Sequence, residues 1–187
     1  MIILYIAGIN DNKSAGPNTN IPKNIFYGSK YETIGIYNIY ETKTNDILKY
    51  KNYFSKETMK NNDITTLPFP FNNPDLVVFE EVYRVKYAKI AKSLKKKGIP
   101  YVITPRGSLT YHSQKRKAFK KLIGNILFFN HFVKNAASIH YLTDKEYETS
   151  KSFKINDYFV VGNGVEIKKK IKTFENIKDK RVSQLPF

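Results

Sequence analysis

Cysteine is absent from this 187-residue chain. Its absence excludes disulfides and thiolate metal sites, and it allows a reducing compartment. Long apolar runs are missing too: no stretch approaches the roughly 20 apolar residues that span a bilayer. The first apolar run, Ile2 to Ile9, is broken at once by Asn10 and Asp11 and is preceded by no cationic leader, so it does not read as a secretory signal. The expected location is cytoplasmic, with a peripheral place on the inner face of the cell membrane as the extension of that reading. Histidine is scarce. His112, His131 and His140 show no metal-ligand spacing, and no metal is expected. Acidic residues are few, 16 against 32 Lys and Arg, which gives a net charge of +16.

What is present argues for a folded domain. A hydrophobic content of 41% and an aromatic content of 14% exclude global disorder. The length suits one domain with a tail, large enough to bury a core without staples. The positive charge invites a nucleic-acid reading. The chain is also rich in Lys, Asn, Ile and Tyr throughout, which reads as compositional drift. It shows no RNP, KH or helix-turn-helix pattern, so nucleic acid is not an expected partner. The charge still favours anionic surfaces and phosphate-bearing ligands.

Strand-like and helix-like segments alternate. Ile2–Ala7 is a continuous apolar run ending at Gly8, suited to a buried parallel strand. Asn10 to Asn20 reads as a long loop, followed by a short helix near Ile21–Ser29 and a strand over 33–39. The segment from Asn45 to Phe71 has no clear period; Pro68 and Pro70 punctuate its end. Strands are then expected over 76–80, 101–104, 138–142 and 158–161. Helices are expected over 83–97, closed by Gly98, over 115–134 and over 145–152. In the long helix, Phe119, Leu122, Ile123, Ile126, Phe129 and Val133 form one apolar stripe. The alternation predicts an α/β fold, a Rossmann-like parallel sheet with helices on both faces and right-handed crossovers.

In such sheets ligands bind outside the carboxyl ends of the strands. Four places qualify. The loop after Ala7 carries Gly8 and Ala15-Gly16; it is either an ordinary connection or a loop whose backbone N–H groups approach a phosphate or sugar. Glu80 and Glu81 follow a buried strand, as ligand groups or as part of the next helix's N-terminal region. Pro105-Arg106-Gly107-Ser108 places a planar five-donor cation between a rigid and a flexible residue. Its alternative role is a rim ion pair with Glu80 or Glu81, of little energetic weight. Asn163-Gly164 reads as a turn. Thr143 to Glu146 forms a capping box, Thr143 bonding the Glu146 N–H and Glu146 reaching back. Lys115, Arg116, Lys117, Lys120 and Lys121 make the basic end of the long helix, a solvated face or a seat on anionic lipid.

Three segments taken in order, Thr104-Pro105-Arg106-Gly107-Ser108-Leu109, Ser138 to Glu146 and Val160 to Glu166, resemble the second half of the N-terminal domain of family 4 glycosyltransferases, which have the GT-B fold. The resemblance covers residues 74 to 166, and the first 40 residues loosely. It departs from the family at Ala15-Gly16, where paired glycines are common, and at Arg106, where histidine is commoner. It implies a domain over 1–166, the acceptor-side half of a GT-B enzyme, with 167–187 as linker or truncated tail and no C-terminal donor domain. It implies sugar transfer from a nucleotide sugar to a surface polysaccharide or lipid-linked glycan, no resident cofactor, and inactivity without a donor-binding chain. Gly8, Gly16, Glu80, Arg106, Gly107, Ser108, Glu146, Asn163 and Gly164 would then line the acceptor cleft, and the basic cluster would meet the membrane. A non-catalytic interaction module and a basic nucleic-acid-binding domain are the alternatives.

Overall fold

Strands buried on both faces of a parallel sheet need apolar runs rather than alternation, and such runs build this fold. The computed structural model describes residues 1–12, 14–41, 50–150, 153 and 157–164. Its strands are β1 (Ile2–Ala7), β2 (Thr33–Asn38), β3 (Tyr53–Phe54), β4 (Leu76–Glu80), β5 (Tyr101–Thr104), β6 (Ser138–Tyr141) and β7 (Tyr158–Val160). All pair in parallel, in the order β3-β2-β1-β4-β5-β6-β7. The order reverses between β1 and β4, the switch point at which a crevice opens in doubly wound sheets.

The helices are α1 (Gly16–Gly28), α2 (Val85–Lys96), α3 (Tyr111–Lys115), α4 (Ala118–Gly124), α5 (Asn130–Lys134) and α6 (Asp144–Ser150). A π-helical turn, Asn125–Phe129, joins α4 to α5. Period-two alternation splits each strand between two cores. Leu4 and Ile6 join Val77, Phe79, Ile103 and Ile139 under α2 and α5, which contribute Ile90, Leu94, Phe132 and Val133. Ile3 and Tyr5 point the other way, toward Ile34, Ile36 and the Ile21 and Ile25 of α1. The chain is therefore α/β, with a Rossmann-like sheet covered by helices on both faces.

The larger core centres on Phe79, whose ring lies 5.2, 5.5 and 5.1 Å from those of Tyr87, Tyr101 and Phe132. Beside it, Gly35 in β2 admits Phe71: a Cβ at this position would lie 2.6 to 2.9 Å from three atoms of the Phe71 ring. Gly35→Ala should therefore cost about 1–3 kcal/mol through overpacking. A urea titration should show the midpoint falling with an unchanged slope; an unchanged midpoint would mean that Phe71 moves aside freely.

Several expectations change. α1 begins at Gly16, not Ile21, so Gly16 to Asn20 are helical rather than loop; Pro17 sits in the first turn, where its missing N–H has no cost. β3 lies in the segment without a clear period. The strand ends expected at 39, 142 and 161 each stop one residue short. The long helix expected over 115–134 is broken at Lys117, which has φ +57°. Of its expected stripe only Phe129 and Val133 are buried, while Phe119, Leu122, Ile123 and Ile126 are exposed. α4 packs chiefly on α3 and the π turn, whereas the π turn and α5 reach α2. Expectations for residues 45–49, 151–152 and 165–187, including the linker or tail over 167–187, fall outside the described residues.

Candidate functional site at the strand ends

Glu80 ends β4 and Arg106 follows β5. The Arg106 Nε donates to Glu80 Oε2 at 2.6 Å, and the two side chains are only 7% and 3% exposed. The local chain explains the placement. Pro105 fixes the exit from β5, and Arg106 and Gly107 follow in the left-handed region at φ +51° and +76°. Ser108 N then donates back to the Pro105 carbonyl at 3.1 Å. At the end of the adjacent strand β4, Glu81 is also left-handed, at φ +81°, and its carboxylate takes Arg84 Nη2 at 2.8 Å. Each such non-glycine residue costs roughly 1–2 kcal/mol. That cost is held at the two strand ends where a ligand would sit.

The rim ion pair considered from sequence is thus a buried pair, which changes its energetic weight. Burial pushes the Glu80 carboxyl above the usual carboxylate range, and the Arg106 and His140 charges offset this only in part. Burial likewise raises the neighbouring Tyr5 phenol to about 12, with a further contribution from the Glu80 charge. His140 has a structural role here. Its Nε2 donates to the Val161 carbonyl at 2.8 Å, and its Nδ1 lies 3.3 Å from the Thr104 hydroxyl. Its ring stacks on Phe159.

Glu146 does more than cap. Thr143 Oγ1 accepts from the Glu146 N–H at 3.1 Å, as the capping box predicts. The carboxylate, however, reaches past the N-cap: Oε2 accepts from Leu142 N at 2.9 Å, and Oε1 accepts from the Gly107 N–H. One buried carboxylate therefore ties the end of β6 to the loop that carries Arg106.

Two open cavities flank that loop, each about 420 Å³. One is lined by Arg106, Gly107, Ser108, His112, Ser113 and Arg116. The other lies between the same loop and Thr143, Lys145, Glu146 and Thr149 of the α6 end. Among the described residues the Arg106 side chain hydrogen-bonds only through Nε, so its two terminal nitrogens are left for a ligand. Among the same residues the buried Ser108 hydroxyl also has no partner. His112, Ser113 and Arg116 were not read as cleft residues from sequence. The short helix α3 brings them there, held by Thr110 at its N-cap and by Gln114 Nε2, which donates to the Ser108 carbonyl at 2.7 Å.

The other predicted positions do not converge on this site. The loop after β1 uses its own N–H groups: Ile9 N donates to Asn38 Oδ1, Asn10 N to Asn18, Asn12 N to Asn10 and Ser14 N to Asn12. Asn38, fully buried, also donates to the Ile9 carbonyl at 2.9 Å. A Cβ on Gly8 would meet Tyr40 at 2.9 Å, so Gly8 accommodates a tyrosine, and Gly16 belongs to the first turn of α1. The N–H groups of Ile9, Asn10, Asn12 and Ser14 are thus engaged within the protein. Asn163 accepts from Asn24 Nδ2 of α1 at 3.5 Å, and Gly164 is exposed. Lys115, Arg116, Lys117 and Lys120 are exposed, whereas Lys121 folds inward onto the Ser113 hydroxyl at 2.8 Å and the Tyr83 ring. Burial lowers the Lys121 ammonium pKa, with Arg116 adding to the effect.

Among the described residues no group of three or more His, Cys, Asp and Glu could hold a metal ion, and no helix is long and apolar enough to cross a membrane. In comparisons with known proteins, no family model and no curated protein matches the chain.

Proposed function

We propose that this chain forms the acceptor-binding side of a glycosyltransferase of the family 4, GT-B type, which takes sugar from a nucleotide sugar and adds it to a surface polysaccharide or lipid-linked glycan. The observation that supports the reading is the Arg106–Gly107 loop. It stands at the carboxyl end of β5, is strained into the left-handed region and is tied on both sides by buried carboxylates. Its guanidinium grips phosphate oxygens through the terminal nitrogens, while Glu80 holds Nε. Arg116 and the Ser113 hydroxyl add donors in the same cavity. Glu80 holds Arg106 and Glu146 holds the Gly107 N–H, so both carboxylates orient this wall. Orientation alone supplies much of the rate in transfer between two bound substrates.

Isothermal calorimetry with a short-chain prenyl-pyrophosphate sugar tests the reading. Arg106→Lys keeps the charge but loses the fork, and affinity should fall about tenfold, the equivalent of 1.4 kcal/mol. Unchanged affinity would assign Arg106 to the scaffold and remove the acceptor site.

A further inference from the structure

The charge of this chain is not spread along it. Between Glu81 and Asp144 lie 14 Lys and Arg and no carboxylate, leaving 18 basic and 16 acidic residues for the rest. Drift toward Lys adds cations but does not remove every acid from 62 consecutive positions, so the basic residues are concentrated rather than scattered. The same stretch carries the largest break in apolar burial. Phe119, Leu122, Ile123, Ile126 and Leu127 are 75%, 57%, 43%, 69% and 62% exposed. Their spacing is that of one helical stripe, i, i+3, i+4, i+7 and i+8. A soluble surface seldom leaves so many large apolar side chains together.

From this coincidence we propose that α4 and the π turn dock on an anionic lipid bilayer. The apolar stripe enters the headgroup boundary and the surrounding Lys and Arg meet lipid phosphates. The fold puts both components on one side. α2, with Lys89, Lys92, Lys95 and Lys96 exposed, packs beside α5 over the same face of the sheet. A helix with an apolar stripe and a basic flank lies in the interface plane rather than across it. Charge decides between a bilayer and a second copy. Two copies meeting stripe to stripe would bring together two stretches that each carry 14 Lys and Arg and no carboxylate, whereas anionic lipid supplies countercharge. The proposal does not depend on the sugar-transfer reading, because neither the stripe nor Lys115, Lys117 and Lys120 touch Glu80 or Glu146.

The chain has no tryptophan, so Phe119→Trp gives a single tryptophan at an exposed position, excited selectively over the 14 tyrosines. With vesicles of equimolar phosphatidylcholine and phosphatidylglycerol, its emission should shift to the blue and be quenched by brominated acyl chains. Phosphatidylcholine alone should give little of either. Binding should weaken with salt as the screening length falls from about 10 Å at 0.1 M to about 3 Å at 1 M. In vesicle sedimentation, Phe119→Ser with Ile126→Ser should abolish binding. Lys115→Glu, Lys117→Glu and Lys120→Glu together should weaken it by at least about a hundredfold, since each basic residue near an anionic surface contributes roughly fivefold. Lys121 is left unchanged because it supports α3. A blue shift without lipid that grows with protein concentration would assign the stripe to a second copy and overturn the proposal. So would nucleic-acid binding that survives the double Ser change while vesicle binding is absent. Calorimetry on the double Ser variant with the soluble pyrophosphate sugar should match the parent chain, which separates failure here from failure of the acceptor site.

Discussion

Glu80→Gln should cost about 3–5 kcal/mol of stability, a large share of the 5–15 kcal/mol that a domain holds. The substitution keeps shape and one acceptor oxygen. Among the described residues it removes the only carboxylate paired with Arg106, whose side chain is 7% exposed and whose guanidinium has no accessible neutral form. Arg106→Met should cost less near neutral pH, because the orphaned Glu80 can take up a proton. The pH dependence separates the two. Burial already holds the Glu80 carboxyl above its ordinary value, and loss of the guanidinium raises it further. Between the unfolded and folded values the folded protein then binds more protons, so stability falls as pH rises through that window and recovers on acidification. Urea midpoints at about pH 5 and about pH 7.5 should therefore converge on the parent for Arg106→Met in acid. Glu80→Gln should remain destabilised at both. The double variant should recover most of the loss, since replacing both charges removes the unpaired one. Additive losses would mean that the two groups do not act as a pair.

The sheet was legible because buried parallel strands advertise themselves as apolar runs bounded by Gly, Pro or polar residues. Ile2–Ala7, Leu76–Glu80 and Tyr101–Thr104 have this form, and their residues are buried or half-buried. β3 was not legible: two residues, Tyr53 and Phe54, carry no period. The start of α1 was hidden by Asn and Pro residues that resemble a loop in composition but satisfy a first turn. The stripe on 119–133 was read with the correct spacing and the wrong environment. Periodicity states that a face is apolar and not what covers it. At the site, Gly107 was read as a residue that permits positive φ and has φ +76°, whereas the left-handed Arg106 at +51° was not foreseen. The cavity partners His112 and Ser113 depend on a five-residue helix turning back toward the loop, which no local pattern encodes.

Glu146 shows how a complete local explanation can hide a tertiary one, and its replacement by Gln is the sharpest test of the site's architecture. A capping box predicts that Gln serves nearly as well as Glu at this position, because either side chain can accept from the N-cap backbone. The observed carboxylate instead accepts from two different N–H groups, Leu142 through one oxygen and Gly107 through the other. Gln has one carbonyl oxygen, so its NH2 must face one of these donors. Donor then opposes donor at a side chain only 8% exposed. The loss should be about 2–4 kcal/mol, one charge-assisted hydrogen bond plus the desolvation of an unpaired N–H. Glu146→Ala should lose a similar amount or more. If the lost bond is the one to Gly107, the loop bearing Arg106 loosens. Pyrophosphate-sugar affinity should then fall together with stability, and hydrogen exchange at the Gly107 amide should accelerate in both variants. A Gln variant with parental stability and an unchanged Gly107 amide would return Glu146 to a simple helix cap. It would also leave the Arg106 loop held from the Glu80 side alone.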